Sequence, residues 1–198
     1  MRELYKLAFK RIKNYKKNKD GATAIEFALL AIPFFSLLFA ILELSIIFFI
    51  SSTLSHAVSE TGRQIRVGNF QACGQAAFKT AVCNRMSGVG NCNRLRIDAI
   101  TQPTFSAITL PVLPPPPPPD PANPNPPIPN GAYTAGIDNT AGVPVVVRAT
   151  YYHKLLLPPQ LTRLENSTAG SGVRLLRTST AFRNEPFPSP PTTAPTCI

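Results

Sequence analysis

The sequence has few of the residues that enzymes and metal sites use. Its 198 residues include no tryptophan and only two histidines, His56 and His153, neither with a cysteine or carboxylate at metal-ligand spacing. The motifs HExxH, GxSxG and GxxxxGK are missing, which excludes the common zinc-protease, serine-hydrolase and P-loop sites. Because no nucleophile is paired with a base either, we expect no catalysis and no bound cofactor or metal.

Acidic residues are also scarce, and this scarcity is uneven. The chain has 10 Asp and Glu against 20 Lys and Arg, a net charge of +10. Residues 1–20 hold eight of the basic and two of the acidic residues, so +6 of the net charge lies there and +4 is left for residues 21–198. This distribution argues against a uniformly basic, nucleic-acid-binding surface, and we expect no nucleic-acid partner.

Charge is almost absent from residues 22–50, where only Glu26 and Glu43 are ionisable. As a helix, this run spans about 43 Å, more than the ~30 Å hydrocarbon core of a bilayer. The residues that follow are too polar and too rich in proline to enclose a helix that is apolar on all faces. We predict a transmembrane helix, because the run is too long for a cleaved secretory signal. The excess of Lys and Arg before the run predicts that the N-terminus lies in the cytoplasm.

Three residues within this run need an explanation. A carboxylate at the bilayer centre costs several kcal/mol, but Glu26 and Glu43 are ~25 Å apart along a helix and can lie near opposite interfaces. For Glu43, snorkelling toward the headgroups and a functional role remain alternatives. Pro33 removes a backbone donor and predicts a kink, with a hinge for extraction from the bilayer as the alternative.

The junction between the basic tail and the apolar run resembles the processing site of type IV pilins. It reads KKNKDG at residues 16–21 and ATAIEF at residues 22–27. In that family a prepilin peptidase cuts after the glycine of a basic leader, and a glutamate at the fifth mature position followed by an aromatic marks the Flp/Tad branch. The resemblance implies cleavage between Gly21 and Ala22, and roles in assembly for Glu26 and Phe27. In an apolar bundle Glu26 can neutralise the new ammonium of Ala22.

The resemblance extends to one family of that branch. The stretch GATAIEFALLAIPFFSLLFAILELSIIFF at residues 21–49 is similar to the N-terminal signature of TadE proteins, pseudopilin-like assembly proteins of the tight-adherence pilus. Looser similarity lies in TGRQIRVG at residues 61–68, at Cys83 and in RNEPF at residues 183–187. Helix packing in assembly would then also involve Pro33 and Glu43.

This family implies a function, partners and a location. It implies a non-catalytic, single-pass protein of the bacterial inner membrane with a periplasmic head, which nucleates, caps or guides a type IVb pilus and can enter its tip. The implied partners are the prepilin peptidase, small pilin subunits, other pseudopilins, the inner-membrane assembly platform and the lipid bilayer. The alternatives are a structural pilin subunit, although major pilins of this branch are far shorter, and an unprocessed membrane-anchored adhesin or binding module.

The remaining patterns predict an α+β, pilin-like fold with a small head at residues 67–185. The leader covers residues 1–21, and the membrane helix of residues 22–50 is expected to extend to about residue 66. A second helix is predicted at residues 72–85. Alternating or β-branched runs predict strands at residues 95–99, 143–157 and 173–183, with residues 105–110 as an alternative fourth strand. Antiparallel pairing of three or four strands against the helix is the simplest architecture.

The four cysteines all lie outside the membrane in this topology, where disulfides form. Our preferred pairings are Cys83–Cys92 or Cys73–Cys92, which leave Cys197 to tie down the tail, although four cysteines allow three connectivities. The spacing does not match the short knuckles of zinc sites.

Proline is concentrated at residues 111–130 and in the tail at residues 186–198. We predict an extended polyproline II insertion between strands, either a solvated connector or a rigid arm that touches a partner, and a flexible tail.

Overall fold

The computed structural model describes residues 21–68, 70, 73–86, 88–118, 122–123, 126–134 and 142–186. The leader up to residue 20, parts of the proline-rich insertion, the tail beyond residue 186 and Cys197 lie outside these residues. The described elements are, in chain order, α1 (Ala22–Arg66), α2 (Gln75–Arg85), β1 (Leu95–Thr101), β2 (Pro144–Lys154), the four-residue α3 (Pro159–Thr162) and β3 (Val173–Arg183). The chain divides into two compact units between Leu42 and Glu43.

Helix α1 is 45 residues long and contains Pro33. It is long and apolar enough to cross a membrane, and its large side chains between Ile25 and Leu42 are exposed. Hydroxyl groups within the helix donate to carbonyls four residues earlier, Ser36 to Ile32 at 2.7 Å and Thr53 to Phe49 at 3.0 Å. These bonds satisfy polar atoms in an apolar segment, where an unpaired donor is costly.

The three strands form one antiparallel sheet in the order β1-β2-β3. Tyr151 of β2 lies opposite Leu95 of β1 and Leu176 of β3, which fixes the register on both sides. The predicted α+β class, with a long N-terminal helix and a small antiparallel sheet, is therefore confirmed.

The alternative fourth strand at residues 105–110 is wrong. Phe105–Ala107 forms a 3-10 turn, and the residues after it up to the proline-rich segment belong to no strand. The edge of β1 is occupied instead by a short parallel segment, in which Ala99 exchanges backbone hydrogen bonds with Ala132 (2.8 Å) and Thr134 (3.0 Å). A Cβ on Gly131 would lie 1.9 Å from the Ile97 carbonyl oxygen, so only glycine permits this approach.

The main core lies between the helices and one face of the sheet. The strands contribute alternate residues to this core, and the helices contribute every third or fourth residue. The members from α1 are Ile47, Ile50, Leu54, Ala57, Val58 and Ile65, those from α2 are Phe78, Ala81 and Val82, and those from the strands include Leu95, Ile97, Val145, Val147 and Ala149. At Gly62 a Cβ would lie 3.1 Å from Thr180 Cγ2, so α1 approaches β3 closely there.

The second face of the sheet is covered by the proline-rich segment. Its carbonyls accept hydrogen bonds from the sheet: Tyr152 Oη donates to Pro114 O at 3.0 Å, and Arg148 Nη2 donates to Pro111 O at 2.7 Å. Ile128 and Leu113 pack with Tyr152 in a smaller apolar cluster. Pro111, Leu113 and Pro114 therefore contact the sheet, so this part of the insertion is not wholly solvated.

Cys83 and Cys92 form a disulfide with their Cα atoms 5.8 Å apart. The bond joins the end of α2 to the 3-10 turn (Cys92–Arg94) that leads into β1. This is one of the two pairings that the sequence favoured. None of the three described cysteines is a free thiol.

Candidate functional site

The first candidate site is the N-terminal end of α1. Gly21 lies in a turn, the helix begins at Ala22, and the Gly21 carbonyl accepts the Ile25 N–H at 3.2 Å. Gly21 is exposed, and no described atom lies within 4 Å of where a Cβ on it would be. Glu26 and Phe27 are both exposed. Because Glu26 lies four residues after Ala22 on a helix, the two residues share one face.

The second candidate site is the apolar surface of α1. Large side chains are exposed along the helix, for example Phe27 (70%), Leu30 (73%) and Phe48 (71%). Soluble monomers rarely expose a continuous apolar surface of this kind, which marks contact with lipid or with other helices. Further along the helix the exposed surface becomes polar, in a shallow groove lined by Phe48, Ser51, Ser52, Ser55, His56 and Ser59.

Glu43 differs from Glu26 because it is buried, with 1% of its surface exposed. Its carboxylate accepts the backbone N–H groups of Leu156 (2.7 Å) and Leu157 (3.2 Å), which follow β2. A buried carboxylate is tolerated when such donors compensate for lost hydration. Of the two sequence-based alternatives, snorkelling is wrong, because Glu43 holds the loop after β2 against α1. The sequence gives no sign of this contact, whose partners are 113 and 114 residues away.

His153 lies close to Glu43 on the core-facing side of β2. Burial lowers the pKa of His153, while the nearby Glu43 carboxylate acts in the opposite direction and Arg94 and Arg174 lower the pKa further. Its Nε2 atom is buried and has no hydrogen-bond partner within the described part of the chain. The imidazole ring packs beside Tyr151, with ring centroids 6.5 Å apart. These contacts make His153 a packing residue of the head.

The head also contains a buried charge cluster that the sequence analysis missed. Asp98 of β1 is fully buried and accepts from Arg96 Nη2 (3.0 Å), Arg148 Nη2 (2.6 Å) and the Ala132 N–H (2.9 Å). The Arg96 Nη1 group donates to the carbonyls of Pro129 and Asn130. The cluster ties the proline-rich segment to the sheet. Arg148 and Pro129 are 50 and 33 residues away from their partners on β1, so alternation along β1 could not reveal these contacts.

A metal centre is not evident. Among the described ranges, no group of three or more His, Cys, Asp or Glu side chains is arranged to hold an ion. Cys73, Cys83 and Cys92 are not free thiols.

Comparison with known proteins connects α1 to a family. Residues 21–63 match the family described as TadE-like protein. No curated protein and no solved structure matches the chain significantly. The matched residues begin at Gly21 and include the exposed apolar surface, Glu26, Glu43 and the first turns that pack on the head. Residues 21–63 are thus similar to TadE-like proteins, and they lie within one N-terminal helix that is compatible with a single-pass membrane anchor.

Proposed function

We propose that this protein is a non-catalytic pseudopilin that takes part in assembling a tight-adherence type IVb pilus. The observation that carries the proposal is the TadE-like match over residues 21–63, which coincides with an exposed apolar helix that begins directly after Gly21. The head is small and tied together by packing, a disulfide and a buried charge cluster. Such a head suits a protein that nucleates, caps or guides a fibre.

In this proposal the prepilin peptidase removes residues 1–21. The basic leader first holds the N-terminus in the cytoplasm, because Lys and Arg resist translocation. Cleavage after Gly21 then removes +6 of the side-chain charge and leaves the ammonium group of Ala22 at the start of α1. The open surroundings of Gly21 support access by a peptidase.

Glu26 supplies the negative charge for that ammonium group. It lies one helical turn from Ala22, so it can pair within the same chain, and its exposure also allows a pair with a neighbouring subunit. In an apolar bundle an unpaired charge is strongly unfavourable, so this pair favours assembled helices over misaligned ones. The exposed apolar surface of α1 packs against small pilin subunits and other pseudopilins, while the head lies in the periplasm beside the assembly platform of the inner membrane.

The test is Glu26→Ala in the full chain, with Glu60→Ala as the matched control in the same helix. Glu60 is part of an exposed pair with Arg63 and contributes little. We expect Glu26→Ala to remain in the membrane but to lose surface pili, while Glu60→Ala keeps them. Normal piliation in Glu26→Ala would contradict the role of Glu26. Intact mass of the purified wild-type protein should correspond to a chain that starts at Ala22, and a chain that starts at Met1 in cells with active peptidase would contradict processing.

The alternative as a structural pilin subunit has a separate test. A head that extends from α2 to β3 is large for the repeating unit of a thin fibre. We expect the protein to be rare in sheared pili, and an abundance equal to the main subunit would favour the alternative. An adhesin or binding module would leave pili intact when the gene is deleted, whereas we expect pili to be lost.

A further inference from the structure

We propose that residues 155–158, called here the leucine loop, are a second lipid-binding element that inserts beside α1 into the outer leaflet of the membrane. The sequence of the loop is LLLP, and it connects β2 to α3. The proposal rests on the membrane anchoring of α1 and does not depend on a role in pilus assembly. It assigns the leucine loop a contact with the bilayer surface.

The first argument is the position of the leucine loop along α1. Glu43 accepts two backbone hydrogen bonds from the loop and so holds it against α1. Glu43 lies seven residues before Ile50, the last residue of the apolar run. Seven residues correspond to about 10 Å of helix. If the hydrocarbon core begins at Ala22, its ~30 Å ends near Glu43. The leucine loop therefore lies at the boundary between acyl chains and headgroups.

The second argument is the side chains at this boundary. Leu155 is buried in the core, whereas Leu156 is 73% exposed. Phe48 and Phe49 of α1 are also exposed, at 71% and 58%. Exposed apolar side chains are thus present both on the leucine loop and on α1 just after Glu43, and lipid would cover them.

The third argument is the backbone. A loop that enters lipid must have its N–H groups satisfied, because no water is available to accept them. The Leu155 N–H donates to Gly172 O at 2.8 Å, and the next two N–H groups donate to Glu43. The following two residues are Pro158 and Pro159, which have no N–H. Every backbone donor from residue 155 to 159 is thus satisfied or absent.

The fourth argument is charge. Lys154 precedes the leucine loop and Arg163 follows α3, and both are exposed. An apolar tip flanked by basic side chains is typical of interfacial elements that bind anionic headgroups. The occupant of this surface is accordingly a bilayer that contains anionic phospholipid.

The absence of tryptophan from the chain makes a direct test straightforward. Leu156→Trp places a single indole on the leucine loop of the full-length protein, which is reconstituted in vesicles of phosphatidylethanolamine and phosphatidylglycerol with brominated acyl chains. We expect strong quenching by the brominated lipid and weak quenching by aqueous acrylamide. Because residue 156 is exposed, the substitution should leave the Cys83–Cys92 disulfide intact, which mass spectrometry checks.

Val112→Trp is the matched control. Val112 is 93% exposed and follows Pro111, whose carbonyl accepts from Arg148. Arg148 lies six residues, or about 20 Å, back along β2 from Lys154. We expect the indole at residue 112 to show the reverse pattern, with strong acrylamide quenching and several-fold weaker quenching by brominated lipid.

The outcomes separate the two proposals. In one outcome the protein floats with the vesicles but acrylamide still quenches the indole at residue 156. This result would overturn the leucine-loop proposal and would leave the membrane anchoring of α1 intact. An indole protected from both quenchers would mean that protein covers the loop, which also overturns it. Protein that does not float would overturn the anchoring on which both proposals depend.

Glu43 provides a second variant of the same experiment. Glu43→Ala in the Leu156→Trp protein removes the acceptor that holds the loop, and we expect lipid quenching to fall toward the level of Val112→Trp. Glu43→Gln keeps one acceptor oxygen and should fall less. Lipid quenching unchanged in both would overturn the role of Glu43 in positioning the loop. Quenching that does not increase with the phosphatidylglycerol content would overturn the role of Lys154 and Arg163.

Discussion

The two parts of α1 on either side of the boundary between Leu42 and Glu43 are similarly apolar up to Ile50 but have different surroundings. Before the boundary the side chains from Ile25 onward are exposed or half-buried. After it one face is buried, at spacings of three and four residues. The buried members of that face are Glu43, Ile47, Ile50, Leu54, Ala57, Val58, Thr61 and Ile65. Hydropathy alone therefore does not tell a lipid-facing segment from a head-facing one, whereas the helical period does.

The two glutamates of the apolar run show the same contrast. Glu26 is exposed on the first part, where the proposed partner is a processed N-terminus or another subunit. Glu43 is buried on the second part, where its partners are already present in the chain. One carboxylate is suited to assembly and the other to the fold of the head, and the predictions below test this division.

The largest loss of stability is expected from Asp98→Ala, which should destabilise the head and leave the first part of α1 unchanged. The change leaves Arg96 and Arg148 buried without their carboxylate, at a cost of about 4 kcal/mol in the free energy of unfolding. Urea unfolding of the detergent-solubilised protein measures this loss, and membrane insertion should be unchanged. An unfolding midpoint equal to that of wild type would show that the cluster does not stabilise the head.

The next effect compares the glutamates directly. Glu43→Ala leaves two buried N–H groups without an acceptor and should lower the stability of the head by about 3 kcal/mol. Glu26→Ala should change it by less than about 0.5 kcal/mol, as is usual for an exposed side chain. Urea titrations of the two variants provide the comparison. Equal losses of stability would contradict the division of roles.

The smallest effect is the pH dependence due to His153. Burial holds its pKa below the ordinary 6.5, so the unfolded chain binds the proton more readily than the folded one. Stability should be full above about pH 6.5 and should fall as the pH drops through the folded pKa. His153→Phe should reduce this decrease, and the exposed His56→Phe should not. An identical pH profile in both variants and wild type would exclude His153 as its source.

Local patterns predicted most of the fold. The apolar run predicted α1, and the β-branched run at residues 173–183 coincides with β3 as observed. The second helix begins at Gln75, later than the predicted residue 72. These elements follow from periodicity and propensity, which depend on neighbouring residues.

Long-range contacts could not be predicted in the same way. The alternation at residues 95–99 predicted a strand, in which Arg96 and Asp98 share a face. Both are buried, because the proline-rich segment covers that face and Arg148 pairs with Asp98. Glu43 was ambiguous for the same reason, since its donors lie on a loop more than a hundred residues away. The burial and the partners of such residues depend on the chain topology, which local sequence patterns do not reveal.

The short segment on the edge of β1 has a consequence for aggregation. A free strand edge is a template on which another chain can add a strand, and this hazard is greatest where chains are crowded together. Ala99 of β1 already pairs with Ala132 and Thr134 of its own chain, and the prolines before them have no N–H to offer to a neighbour. Addition of a neighbouring strand is therefore hindered at Ala99 on this edge of β1, while β3 forms the other edge of the sheet.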